Sequence, residues 1–137
     1  TVTKGGGAFL NNKRIKVSKT NDHRRYLIGT GIPTKNIEYS EKAYIRLENI
    51  RENIAGIRII GSAAYSLALV ASGKLDGYFE GTVGLLDTAA GVLLVQEAGG
   101  IVSDFWGQGK EYFEKNVTYV SGNKSAHLYI VEKINNT

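Results

Sequence analysis

Cysteine and methionine are absent from this 137-residue sequence, proline occurs once, and no apolar run is long. Without cysteine there can be no disulfide framework, no thiolate metal site and no cysteine nucleophile. A membrane-spanning helix needs about 20 apolar residues, and no run here approaches that length, so we expect no membrane association. No signal peptide is recognisable, and together these absences fit a cytoplasmic protein. Because the sequence starts at Thr1 and not at methionine, we expect it to be a piece of something longer.

The net charge is +4, from 17 basic and 13 acidic residues. Basic residues are spread along the chain, with small clusters only at 13–16 and 23–25. A nucleic-acid surface would need such charges on one face, so a solvated basic surface is the simpler interpretation. Hydrophobic residues make up 42% of the sequence and charged residues 22%, which is typical of a globular domain.

Strand-like and helix-like patterns alternate along the chain. Asn11-Asn12 tolerates a tight turn and predicts a hairpin between strands at 8–10 and 14–17. Further strands are predicted at 25–29, 57–60, 75–80, 101–105 and 117–121. Helices are predicted at 37–54, 62–72 and 87–98, followed by a last helix capped by Ser125. This order predicts a single α/β domain over residues 1–137, with a mostly parallel sheet flanked by helices.

The predicted helix at 37–54 has one apolar stripe. Asn36 is placed to cap it, and its apolar residues recur at helical spacing: Ala43, Leu47, Ile50 and Ile54. The opposite side is charged. This pattern is typical of a helix that packs on a sheet.

Candidate chemistry lies at the junctions between strands and helices. Ligands of parallel sheets bind outside the carboxyl ends of the strands, often at helix N-termini. Gly61-Ser62-Ala63 lies at one such junction, and Glu80 and Asp87 lie around the next. Each also has a purely structural interpretation: Ser62 and Asp87 as helix caps, and Glu80 as an exposed glutamate.

Two other features do not predict chemistry. The triplet Gly5-Gly6-Gly7 lacks the Gly-Lys-Ser/Thr and the helix that a phosphate-binding loop requires. It is better explained by close backbone approach at a strand start. His23 and His127 have neither metal-ligand spacing nor a serine or acid companion in the sequence, so we predict that both are surface residues.

Specific motifs resemble the C-terminal half of the inositol monophosphatase family. The run GSAAYSLALVASGKLDGYFEG is followed by LDTAAGVLLVQEAGGIVSD, which is similar to the family's W-D-x-A-A-G signature with its hydrophobic helix and E-A-G-G. VASGKLDGYFE resembles the family's V-A-x-G-x-x-D-x-Y-x-E segment, and KGGGAFLNNKRIKVS resembles the preceding hairpin. The resemblance covers nearly the whole chain, and the bacterial extragenic-suppressor branch looks nearest.

The resemblance implies a Mg²⁺-dependent, lithium-sensitive phosphatase of sugar phosphates. By this likeness Asp87 is a catalytic residue that binds Mg²⁺ near the substrate. Glu80 would bind inositol hydroxyls, and Gly61, Ser62 and Ala63 would contact the substrate together with Asp87. The resemblance also implies a homodimer for the intact protein.

The sequence departs from the family pattern in two ways. Leu86 stands where the family has tryptophan, and Leu85 replaces a frequent proline, although Asp87 is kept. More importantly, the family's remaining metal ligands come from a glutamate pair and an Asp-Pro-x-Asp-Gly-Thr motif. Aspartate occurs here only at positions 22, 76, 87 and 104, and none of these lies in that motif. The N-terminal metal-binding half is therefore missing from this sequence.

These observations leave three functional interpretations. The first is that the parent protein hydrolyses inositol phosphate and that this piece alone is nearly inactive. The second is a non-catalytic interaction protein that acts with RNA polymerase or RNA, as the bacterial branch resembles proteins of the transcription machinery. The third is a related phosphatase, for fructose 1,6-bisphosphate or a nucleotide 3′-phosphate. An isolated half should also expose apolar surface, so we expect self-association.

Overall fold

A computed structural model describes residues 1–32, 37–83, 85–109 and 117–136, without the side chains of residues 37–40, 82–87 and 117. The strands are β1 (Val2–Thr3), β2 (Gly7–Leu10), β3 (Lys13–Arg14), β4 (Leu27–Thr30), β5 (Gly56–Ile59), β6 (Gly77–Val83), β7 (Ile101–Ser103) and β8 (Val117–Gly122). The helices are α1 (Ile37–Arg51), α2 (Ala63–Ala71), α3 (Leu85–Glu97) and α4 (Lys124–Asn135), with a 3₁₀ turn at His23–Arg25.

The main sheet has five strands in the order β5-β4-β6-β8-β7. β4 is parallel to β5 and to β6, whereas β8 is antiparallel to both of its neighbours. Four of the five strands therefore point the same way, and only β8 runs against them. The predicted α/β class with a mostly parallel sheet is confirmed, in a mixed form.

Two apolar cores lie on opposite faces of this sheet. Tyr78 of β6 packs with α2 and α3 on one face, in a cluster that includes Leu67 and Val95. Phe79, the next residue, packs on the other face with Ile50 of α1 and Ile130 of α4. The alternation follows from the period of two along a strand. Helices thus cover both faces. In the apolar stripe predicted for α1, Ala43 and Ile50 are buried, whereas Leu47 and Ile54 are partly buried.

The first three strands form a separate antiparallel sheet against α3. β2 and β3 pair with Phe9 opposite Arg14, and Asn11 and Asn12 turn between them with φ of 50° and 63°. The predicted hairpin is confirmed; β1, which pairs with β2, was not predicted.

The glycine triplet at 5–7 binds a carboxylate of the chain itself. The Gly7 N–H donates to Oε1 of Glu97 at 2.9 Å, and the Gly5 and Gly7 N–H groups together lower the pKa of Glu97. Gly5 and Gly7 have φ of 78° and 85°, a conformation that favours glycine. The backbone here fixes the end of α3, which agrees with the structural interpretation of the triplet.

Several element boundaries differ from the prediction. β6 does not finish at Glu80 but continues to Val83, because Val83 still pairs with Val117 after a shift in register. α3 begins at Leu85, so Asp87 is its third residue and does not open it. α4 is capped by Asn123, whose side-chain oxygen accepts from the Ala126 N–H at 2.8 Å, and not by Ser125. The predicted cap at Asn36 lies outside the described residues.

Asp76, just before β6, joins three segments at the amino edge of the sheet. Its carboxylate accepts from the Ser18 hydroxyl at 2.5 Å and from the Leu27 N–H at 2.8 Å. Asn123 in turn donates to the Ser18 hydroxyl at 2.9 Å. Asp76 is 7% exposed, so this buried carboxylate is a structural joint.

None of the helices in the described ranges is both long and apolar enough to cross a membrane.

Candidate functional site

The carboxyl ends of the parallel strands place the predicted site residues at one edge of the sheet, and the part of this edge where α2 and α3 begin is called the corner below. β5 leads into α2, and β6 leads into α3, so both helices start at the same edge of the sheet. α2 and α3 pack side by side on one face. Gly61-Ser62-Ala63, Glu80 and the first turn of α3 therefore lie at this edge, as the junction argument predicted.

Gly61-Ser62-Ala63 forms the entry to α2. Gly61 has φ of 84° and open space where a Cβ would stand. Ser62 caps the helix, with its hydroxyl accepting from the Tyr65 N–H at 3.2 Å. Gly61 and Ser62 are exposed, so the positive end of the helix dipole faces outward, where it would favour an anion.

Glu80 is held by a buried phenol. Tyr78 lies two residues earlier on the same face of β6, and its hydroxyl donates to Oε1 of Glu80 at 2.7 Å. Partial burial raises the pKa of Glu80, and the Tyr78 hydrogen bond opposes this rise because it stabilises the charged form. Burial, followed by the Glu80 charge, raises the pKa of Tyr78 far above its ordinary value, so the phenol stays protonated and donates.

The carboxylate also lies directly against Gly31. A Cβ built on Gly31 would collide with Oε1 and Cδ of Glu80 and would stand 2.9 Å from Oε2. Gly31 follows β4, and Thr30 before it donates its hydroxyl to the Phe79 carbonyl at 2.8 Å. β4 and β6 are thus tied together where Glu80 emerges, and the glycine leaves room for its head group.

Asp87 lies in the first turn of α3, where a carboxylate is favoured by the helix dipole. Its side chain is outside the described residues. The other three aspartates have structural partners: Asp22 caps the 3₁₀ turn and pairs with Arg24, and Asp76 joins the amino edge. Asp104, which is buried, accepts from the N–H groups of Trp106 and Gln108.

The described side chains can be compared with what a Mg²⁺ site requires. Carboxylate oxygens are the donors that Mg²⁺ prefers, and it is usually held by more than one carboxylate. Within the described side chains, no group of three or more His, Asp or Glu residues could hold a metal. Asp87 fits such a site in donor type, but one carboxylate does not complete it.

One histidine prediction is wrong. His127 is partly buried, and its Nε2 lies 2.7 Å from the Ser103 hydroxyl, so it does have a serine companion. Ser103 donates to the Asp104 carbonyl at 2.8 Å, so Nε2–H of His127 is the donor to Ser103. Sequence spacing could not reveal this pair because it joins β7 to α4. His23 is exposed, as predicted, and stacks on Tyr129.

The comparison with protein families identifies the chain. A profile of the inositol monophosphatase family matches residues 1–137. The chain belongs to the inositol monophosphatase family. The resemblance seen in the motifs is thereby confirmed.

Named relatives fall into two groups. The inositol-1-monophosphatase of Mesorhizobium japonicum is 39% identical over 124 residues, which are 90% of this chain and 46% of that protein. The Nus factor SuhB of Pseudomonas aeruginosa is 41% identical over 125 residues, 90% of this chain and 45% of that protein. The chain thus spans less than half the length of these relatives.

A solved structure supports the fold directly. The extragenic suppressor protein suhB of Bartonella henselae superposes with a TM-score of 0.89 at 35% sequence identity. The match covers 96% of this chain and 49% of that one. The fold of this family is therefore that of the present chain.

Two residues at the corner were missed from the sequence. Gly31 belongs to none of the motifs considered, and Tyr78 occurs only as part of the segment VASGKLDGYFE. The signal for Tyr78 was present, because Tyr78 and Glu80 are two apart on one strand and must share a face. Nothing in the sequence places Gly31 beside Glu80, because β4 and β6 meet only in the folded sheet.

Proposed function

We propose that the protein carrying this chain is a Mg²⁺-dependent phosphatase that hydrolyses inositol phosphate to inositol and phosphate. The observation that carries the proposal is that Glu80, the start of α2 and the start of α3 share one edge of the sheet, in a chain of the inositol monophosphatase family. The corner offers a positive pole for a phosphate and an acceptor for hydroxyl groups. The full-length protein is proposed to be a homodimer.

Each group has a distinct task in this proposal. The Tyr65 N–H is used by the Ser62 cap, and the N–H groups of Ala63 and Ala64 at the start of α2 would bind phosphate oxygens. Glu80 would accept hydrogen bonds from ring hydroxyls and so orient the leaving alcohol. Asp87 would be a ligand of Mg²⁺, which when bound neutralises phosphate charge and activates water. Water attacks phosphorus, the P–O ester bond breaks, and the leaving oxygen gains a proton.

This chain is proposed to be nearly inactive alone, because the remaining metal ligands belong to a segment that the present sequence lacks. The test compares phosphate release from inositol 1-phosphate by residues 1–137 and by the full-length gene product, each with Mg²⁺. We expect turnover only from the full-length protein and a loss of at least about 100-fold in Asp87→Asn. Asp22→Asn is the matched control and should keep full activity. Turnover by residues 1–137 at the full-length rate would contradict the proposed division.

A panel of phosphate esters on the full-length protein tests the substrate. Inositol 1-phosphate should be preferred over fructose 1,6-bisphosphate and a nucleotide 3′-phosphate, because it offers Glu80 more free ring hydroxyl groups than either competitor. A preference for either competitor would make the protein a related phosphatase with another substrate.

A second function is favoured by the relatives themselves. The Pseudomonas aeruginosa relative bears the name Nus factor SuhB, and the present chain has a net charge of +4. We therefore also propose an association with RNA polymerase or RNA. A complex that weakens steeply with salt would support it. Binding that is unchanged in Asp87→Asn would show that this role is independent of metal chemistry.

A further inference from the structure

We propose that Tyr78 and Gly31 are positioning residues that fix the Glu80 carboxylate as an acceptor for the hydroxyl groups of a polyol substrate. This proposal rests on the proposed phosphatase function and extends it to the residues that set substrate preference.

The first step of the argument is the fixed donor. The Tyr78 side chain is fully buried against α2 and α3, so its ring has little freedom. Its hydroxyl donates to Oε1 at 2.7 Å. A carboxylate has about four acceptor positions, and the phenol uses one of them. Glu80 is thereby held in one place while it retains the capacity to accept further hydrogen bonds.

The second step is the opposing wall. Because Gly31 has no side chain, the Glu80 head group lies directly on the backbone at the end of β4. Any larger residue would need the space that Oε1 and Cδ occupy. Tyr78 lies in β6 and Gly31 lies at the end of β4, and these two strands are paired in register next to this point. Two independent strands therefore set the position of one carboxylate.

The third step is the support beneath the corner. Tyr119 of β8 stands opposite Glu80 in the sheet register. Its hydroxyl accepts from the Thr88 hydroxyl at 2.7 Å, and both side chains are fully buried. Thr88 follows Asp87 in α3. The same buried layer thus holds the strand that carries Glu80 and the helix turn that carries Asp87.

The test uses the full-length gene product and two phosphate esters, inositol 1-phosphate and 4-nitrophenyl phosphate, which lacks polyol hydroxyls. Tyr78→Phe should raise KM for inositol 1-phosphate about tenfold, since hydrogen bonds to charged groups are of this strength. Gly31→Ala should raise it by a similar factor, because the added methyl group needs the space of the Glu80 carboxylate. Kinetics on 4-nitrophenyl phosphate should stay within about twofold of wild type. Glu80→Gln should lose the same preference for inositol 1-phosphate over 4-nitrophenyl phosphate. Adding Tyr78→Phe to Glu80→Gln should cause little further loss.

Two matched controls separate positioning from general damage. Tyr26→Phe removes the hydroxyl of an equally buried tyrosine in the other core, where that hydroxyl bonds to Ser125. Gly81→Ala adds a methyl group next to Glu80, where the nearest atom is 3.7 Å away. Both should keep the wild-type ratio of the two substrates. An equal loss on both substrates in Tyr78→Phe, or no change on either, would overturn the proposal.

A measurement without turnover distinguishes this proposal from the proposed function. If the wild-type protein releases no phosphate, the phosphatase assignment fails, but the Glu80 carboxyl can still be titrated by NMR. Tyr78→Phe should raise the pKa of Glu80, because the hydroxyl no longer stabilises the charged form. An unmoved Glu80 pKa would show that Tyr78 does not hold this carboxylate, and the proposal would fall independently of activity.

Discussion

Two carboxylates at opposite edges of one sheet have opposite surroundings. Asp76 stands just before β6 and is 7% exposed, with donors from Ser18 and Leu27 on its two oxygens. Glu80 lies four residues later and is less buried, with the Tyr78 hydroxyl on one oxygen. The first carboxylate joins segments of the chain to each other. The second keeps acceptor capacity at the edge where helices begin, which is the condition for binding a ligand.

The largest expected effect is on the joint at the amino edge. Asp76→Asn replaces one acceptor oxygen by a donor, which would face the Ser18 hydroxyl or the Leu27 N–H. We expect the free energy of unfolding to fall by about 3 kcal/mol in a denaturant titration. Asp22→Asn, at an exposed pair with Arg24, should leave the titration unchanged. Equal stability in both variants would refute the structural role of Asp76.

The opposite pattern is expected for Glu80. In Glu80→Gln the Tyr78 hydroxyl can still donate to the amide oxygen, so the free energy of unfolding should change by less than about 1 kcal/mol. Preference for a polyol phosphate should nevertheless fall about tenfold, because the charged acceptor is lost. A destabilisation as large as that of Asp76→Asn would erase the distinction between the two carboxylates.

A similar contrast separates two exposed surfaces, one in a groove beside the hairpin and one on α4. A groove of about 300 Å³ lies between the hairpin and the outer side of α2 and α3, and its lining is mainly apolar. Leu10 and Tyr65 in this lining are more than half exposed. We expect residues 1–137 to self-associate in sedimentation velocity and Tyr65→Ser to weaken this several-fold. Leu128→Ser, equally exposed on α4, is the control; a monomer at high concentration would count against the idea.

The smallest effect is a pH dependence of stability. The folded pKa of Glu80 is raised, so below about pH 4.5 the group is protonated in both states and contributes nothing. As pH rises above about 4.5, the Glu80 carboxyl ionises first in the unfolded chain, so the folded state loses stability relative to the unfolded state. Glu80→Gln should remove this decline, so its stability relative to wild type should grow from pH 4 to pH 7. A constant difference would mean that Glu80 titrates normally.

Some features of these regions could be predicted from the sequence, and others could not. Local signals predicted the Asn11-Asn12 turn, the Ser62 cap and the apolar stripe of α1, since each depends on residues close in the chain. The extension of β6 past Glu80 could not be predicted, because it depends on pairing with β8, more than 30 residues away. The end of that strand determines where α3 starts, and hence where Asp87 lies in the helix.

The candidate site was predictable in outline but not in its support. Glu80, Asp87 and the Gly61 segment are predicted as site residues because parallel strands place their carboxyl ends together and because the motifs resemble a family. Gly31 and the Ser103–His127 pair were not found, because each depends on a contact between strands or helices that are distant in sequence. What a residue offers chemically can be inferred from the sequence, whereas what restrains it requires the fold.

The reversed direction of β8 has a consequence for how this fold can diversify. β7 ends and β8 begins at the edge where the candidate site lies, so the connection between Ser103 and Val117 starts and finishes beside it. Phe105, near the start of this connection, is buried in the core with Ile130, so a change in length beyond Phe105 would leave that core contact in place. Sequence change beyond Phe105 can therefore accumulate next to this edge while the sheet that carries Glu80 stays the same.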